Sequence, residues 1–135
     1  MPDLYALLIG IDDYDDRVVN GISYPKLGGA VRDINHVHAF LRDHLAVPDG
    51  HILKLTAPRQ GAGAPEGEWP NYTNLVAAFR QLLAIARQPG DQVYIHYSGH
   101  GGRAATAFPN IKGDSGFDEA LVPVDIGDPT AQYLR

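Results

Sequence analysis

Leu4-Tyr5-Ala6-Leu7-Leu8-Ile9-Gly10-Ile11 is an unbroken apolar run of strand length, and Asp12-Asp13-Tyr14-Asp15-Asp16 ends it in a polar loop. A run with no polar alternation suits a strand covered on both faces, as in a parallel sheet flanked by helices. Beyond Gly28 the period changes: Val31, Ile34, Val37, Leu41 and Leu45 recur at three and four, which predicts a helix near 29–45. Pro48-Asp49-Gly50 supplies a turn, and Ile52-Leu53-Lys54-Leu55 predicts a strand near 52–55. Gly61, Gly63, Pro65, Gly67 and Pro70 crowd the stretch 57–71, where a mobile loop is expected. Thr73 is placed to cap a second helix near 74–88, with Leu75, Val76, Phe79, Leu82, Leu83 and Ala86 as its apolar stripe. Strands follow near 91–97 and 120–124, the latter at an edge or irregularly paired because Pro123 lacks an N–H. Alternating strands and helices predict a mainly parallel α/β sheet, whose chemistry gathers at the carboxyl ends of its strands. Asp12, His100 and Asp125 each fall just past such an end.

Composition narrows the partners. The chain has 135 residues, 44% of them hydrophobic and 20% charged, enough for one globular domain with a real core. Its formal net charge is -5, with no dense basic stripe for phosphates, which argues against nucleic acid. No apolar run approaches the roughly 20 residues needed to cross a bilayer, so no membrane partner is expected. The start, Met1-Pro2-Asp3, lacks the charged region of a signal peptide, and the absence of cysteine excludes disulfides. Both fit a cytoplasmic location. The acidic group Asp12, Asp13, Asp15 and Asp16 reads as a solvated loop.

Tyr94-Ile95-His96-Tyr97-Ser98-Gly99-His100-Gly101-Gly102 carries the chemistry. A strand runs into a histidine flanked by glycines, which presents an imidazole on a rigid end and within reach of a substrate. A serine hydrolase would need glycine two residues before Ser98, where His96 stands. A phosphoacceptor domain would want an aspartate at the end of this strand, where Ser98-Gly99-His100 stands. Neither fits as well as a histidine base.

Four motifs occur in order: Tyr5 to Ile11, Gly28-Gly29-Ala30-Val31-Arg32-Asp33, Tyr97-Ser98-Gly99-His100-Gly101, and Asp118-Glu119-Ala120-Leu121-Val122-Pro123-Val124-Asp125. Together they resemble the large-subunit half of caspase-like cysteine peptidases, nearest the metacaspase, paracaspase and orthocaspase branch. The resemblance implies a caspase-like (flavodoxin-like) three-layer α/β sandwich with a mainly parallel sheet, incomplete in this chain. It implies that His100 is the catalytic histidine working with a cysteine thiolate, and that the Gly101 N–H helps to bind the oxyanion. It makes Asp33 a buried carboxylate lining a pocket for Arg or Lys before the cut bond, with Ser98 on the same pocket. It places the cysteine after a further strand beyond Arg135, on a C-terminal segment or companion chain, so this chain alone is not expected to be active. Calcium is implied as an activator rather than a cofactor of the chemistry, with Asp114 and Asp118 as ligands. The family often carries a cysteine where this chain has Ala30. From another class, the competing reading is a catalytically inactive interaction module of the same fold.

Overall fold

A computed structural model describes residues 2–135. In chain order its elements are strands β1 (Leu4–Ile11), β2 (Arg17–Val19) and β3 (Ile22–Tyr24), helix α1 (Ala30–Asp43) and strand β4 (Ile52–Ala57). Helix α2 (Tyr72–Ile85), strands β5 (Gln92–Ser98) and β6 (Gly101–Ala105), the single turn of helix α3 (Pro109–Lys112) and strand β7 (Phe117–Leu121) follow. β1 lies in the middle of a three-stranded parallel sheet of order β4-β1-β5, with Leu7 opposite both Leu53 and Ile95. No helix among the described residues is long and apolar enough to cross a membrane.

The apolar run of β1 is explained by two cores. Leu7, Ile9 and Ile11 enter one core with Leu75, Ala78 and Leu82 of α2, while Ala6 and Leu8 enter the other with Ile34 and Leu41 of α1. All five β1 residues are fully buried. Each fully buried Leu or Ile contributes roughly 1.5–3 kcal/mol, so a polar residue anywhere along Ala6–Ile11 would cost one core or the other. Gly10 is the one glycine in the run. A Cβ there would lie 2.7 Å from Ile34 Cγ1 and 3.2 Å from the Ala30 carbonyl, so the glycine lets the first turn of α1 settle directly on the strand.

Two carboxylates at the strand ends serve the helices. Asp12 is buried, and its Oδ1 and Oδ2 accept the N–H groups of Ala30 and Val31 at 2.8 and 3.2 Å. Gly29 precedes α1 with no side chain to do this, so Asp12 satisfies the open N–H groups from 18 residues away. Asp12 therefore does not belong to a solvated acidic loop. Asp125 Oδ1 likewise accepts the N–H of Tyr72 at the start of α2. The residue capping α2 is Asn71, whose side chain accepts from Asn74 N at 2.8 Å, not Thr73.

The structure departs from the sequence pattern at the hairpins. The strand expected at 120–124 forms at Phe117–Leu121 and lies outside the parallel sheet, pairing antiparallel with β6. Only Gly99 and His100 separate β5 from β6, and β6 leaves the parallel sheet to pair with β7. The β2–β3 hairpin was also not anticipated; strands of three residues carry too little alternation to register. Within the stretch 57–71, Glu66 to Glu68 lie along the outer edge of β4. Leu55 bridges Glu68, Thr56 Oγ1 bonds the Glu66 N–H and carbonyl, and Lys54 Nζ pairs with Glu66. Gly67 has φ +69°, and a Cβ there would fall on the Lys54 carbonyl, so only glycine lets this strap lie so close.

Candidate active site

β5 ends at Ser98, and Gly99 turns the chain so that the half-buried His100 stands at the carboxyl rim. The imidazole Nε2 lies 2.8 Å from the Pro25 carbonyl oxygen. A carbonyl only accepts, so Nε2 carries the proton and Nδ1 of the neutral ring is left with its lone pair. The ring is held between two aromatic faces, with Tyr14 at 4.7 Å and Tyr24 at 5.6 Å between centroids. Tyr14 is itself fully buried in the α2-side core.

The backbone of His100 is held as firmly as its ring. Its N–H donates to Tyr14 Oη at 2.9 Å, and its carbonyl accepts from Tyr97 Oη at 2.6 Å and from Val122 N at 3.2 Å. Tyr14 Oη in turn donates to the Val122 carbonyl at 3.0 Å. Burial pushes the phenols of Tyr14 and Tyr97 above their ordinary titration range, so both stay protonated and can donate and accept at once. The need for Gly99 follows: a Cβ there would lie 2.7 Å from each of the two hydroxyl oxygens.

Asp33 lies in the first turn of α1 and Ser98 at the end of β5. The fold brings them together across 65 residues, with Ser98 Oγ donating to Asp33 Oδ2 at 3.5 Å, the outer limit of a hydrogen bond. Asp33 is exposed, not buried, because it sits one residue before Ile34 and so off the stripe that packs on β1. The hydrogen bond of Ser98 Oγ runs to Asp33, away from the histidine. Gly101 is exposed, immediately after His100 and opposite Leu121.

The carboxylate of Asp118 stands apart from this group. Lys112 Nζ, Thr106 Oγ1 and the Ala107 N–H approach it at 2.8, 2.9 and 2.8 Å, and Arg135 Nε lies 4.0 Å away. The Lys112 hydrogen bond, helped by the Ala107 amide, holds its carboxyl down to about 2. A calcium ion here would have to displace Lys112, so the donors around Asp118 do not fit a cation site. Asp114 is an exposed residue of the preceding turn. Among the described residues no group of three or more His, Asp or Glu side chains is arranged to hold a metal ion.

Sequence reasoning did not single out Tyr14, Tyr24 or Pro25. The tyrosines lie within polar or weakly patterned stretches, and the part played by Pro25 is a main-chain carbonyl, which any residue carries. No side-chain pattern announces such a group.

The metacaspase, peptidase C14 domain model matches residues 5–131. Relatives include Metacaspase-1 of Mycosarcoma maydis, 35% identical over 122 residues that cover 89% of this chain and 26% of the relative. Metacaspase-1A of Aspergillus oryzae is 31% identical over the same length, covering 89% of this chain and 25% of the relative. The chain thus spans about a quarter of the length of the curated relatives it matches.

Proposed function

This chain belongs to the metacaspase, peptidase C14 family, and on that premise we propose that it supplies the histidine and part of the substrate pocket of a cysteine endopeptidase cleaving after Arg or Lys. The observation that carries the reading is the state of His100: Nε2–H is engaged by Pro25 O, and Nδ1 is the basic atom. In the proposed reaction Nδ1 takes the proton of a cysteine thiol, and the thiolate attacks the carbonyl carbon of the scissile peptide. The Pro25 carbonyl stabilises the imidazolium so formed, since its hydrogen bond then has a charged donor. The Gly101 N–H stabilises the oxyanion. When the C–N bond breaks, the imidazolium returns its proton to the leaving amine, and water then hydrolyses the thioester with His100 again as base. The Asp33 carboxylate, with Ser98 beside it, binds the cationic side chain preceding the cut bond.

The nucleophile comes from a segment outside these 135 residues, which contain no cysteine. Two features support such a partner. β5 is the last strand of the parallel sheet on its side, with Val93, Tyr94 and Ile95 exposed at 47%, 39% and 47%. An apolar hollow of about 630 Å³ between α2 and the β6–β7 hairpin is lined by Phe79, Leu83, Leu121 and Leu134. A strand carrying the cysteine would pair with β5, and the chain around it would fill the hollow.

The test uses the full-length protein, cysteine segment included, with Arg-, Lys- and Asp-containing peptides. Cleavage after Arg and Lys only, lost on cysteine alkylation and reduced by about 10²–10⁴-fold in His100→Ala, is the expected result. Folded full-length protein that cleaves none of these peptides would leave the non-catalytic interaction module as the reading.

A further inference from the structure

We infer that Tyr14 and Tyr97 are positioning residues for His100, their hydroxyls being built into the backbone between the histidine and Val122 so that the imidazole is held in one orientation. The inference rests on the reading of His100 as the general base and deepens it.

The β6–β7 ladder pairs Gly101 with Leu121, so the next pair along the hairpin is His100 with Val122. An antiparallel pair at that step would exchange two direct bonds. Only one is made, from Val122 N to the His100 carbonyl at 3.2 Å. In place of the other, Tyr14 Oη accepts the His100 N–H at 2.9 Å and passes its own proton to the Val122 carbonyl at 3.0 Å. Tyr97 Oη adds a second inserted group, donating to the His100 carbonyl at 2.6 Å and accepting from Val122 N at 3.3 Å. The Val122 N–H is shared between the His100 carbonyl and Tyr97 Oη, each hydroxyl gives its one proton to a carbonyl, and the two hydroxyl oxygens lie 3.0 Å apart.

The insertion changes what sets the direction of the histidine. In a plain ladder the twist of the hairpin would decide where the imidazole points. Here the His100 peptide hangs on two side chains rooted elsewhere: Tyr14 follows β1 in the fully buried core, and Tyr97 stands on β5. The ring of Tyr14 also lies against the imidazole of the residue whose backbone N–H its hydroxyl accepts, so one residue holds both ends of the histidine. Gly99 belongs to the same device, because any side chain there would occupy the place of the two hydroxyls.

The experiment makes Tyr14→Phe and Tyr97→Phe singly in the full-length protein, keeping each ring and removing each oxygen. Three readouts are taken: hydrogen exchange of the His100 amide, the ¹⁵N shifts of its imidazole, and kcat and KM on an Arg peptide. In Tyr14→Phe the His100 amide should lose its protection while β1 and β5 amides keep theirs, a contrast that general destabilisation would not give. In both variants the imidazole should pass from a single Nε2–H form to a mixture of tautomers. In both, kcat should fall by about 10²-fold with KM little changed, the scale of loss that a slight misplacement of a reacting group produces. Unaltered imidazole shifts with wild-type kcat in either variant would overturn the inference. If Tyr14→Phe does not fold, Tyr97→Phe decides through the imidazole and kcat alone. A wild-type protein without peptidase activity would count against the general-base reading, and the exchange and imidazole measurements would still decide whether the hydroxyls hold the ring.

Discussion

At the residue scale, Asp33 and His100 show how little of a side chain's role is in its own chemistry. Asp33 is one of 16 acidic residues, and what separates it is a place at the first turn of α1 beside Ser98. Asp12 has the same carboxylate and the same rim, yet both its oxygens are committed to helix N–H groups. An exposed carboxylate meeting a guanidinium forms charge-assisted hydrogen bonds of about 1.5–3 kcal/mol, which is roughly 10–100-fold in specificity. Asp33→Asn should therefore lower kcat/KM for Arg peptides by about that factor in the full-length protein while leaving its thermal midpoint nearly unchanged. Steady-state kinetics on matched Arg and uncharged peptides checks it; equal losses on both would remove Asp33 from the pocket.

At the element scale, one carboxylate adds to the backbone ladder of the β6–β7 hairpin. Asp118 gathers Thr106, the Ala107 amide and Lys112, and so ties α3 and its flanking turns back onto β7. Its folded value of about 2 lies below the ordinary 3.8. A depressed carboxyl contributes stability that is complete above the unfolded value and is lost as pH falls through the folded one. The thermal midpoint should accordingly drop between about pH 4 and pH 2, and this drop should be smaller in Asp118→Asn, which has no proton to take up there. Identical acid profiles for the two proteins would show that the carboxylate does not hold the hairpin. The elements most plainly visible in the sequence were the long ones. β1 and the two long helices carry apolar patterns over eight and fourteen residues, whereas β2 and β3 are only three residues each and β6, Gly101–Ala105, is made mostly of Gly and Ala.

At the scale of the whole molecule, the parallel sheet is asymmetric. The β4 edge is covered by its own loop, with Gly67 and Glu68 lying along the strand. The β5 edge has no such cover among the described residues, and α2 packs over β1 and β4. Val93 and Ile95 are consequently exposed. An unprotected apolar edge templates pairing with another strand. The 135-residue chain expressed alone should self-associate, and Ile95→Lys should return it to a monomer in light scattering, since a charge at an edge strand opposes pairing. The same substitution in the full-length protein should impair its folding or activity if β5 receives the cysteine-bearing strand. A monomeric 135-residue chain with the native Ile95 would count against an open edge.

By itself the sequence determined the α/β class, the central strand, the two long helices and the family motifs around His100. These depend on local periodicity and on runs of residues adjacent in the chain. The tertiary structure alone decided which acids cap helices, which carbonyl fixes the imidazole tautomer, and which tyrosines hold the histidine's backbone. Apart from the Tyr97–His100 bond, across three positions, those contacts join residues separated by 18 to 108 positions. They involve main-chain atoms or hydroxyls whose meaning comes only from what the fold places opposite them.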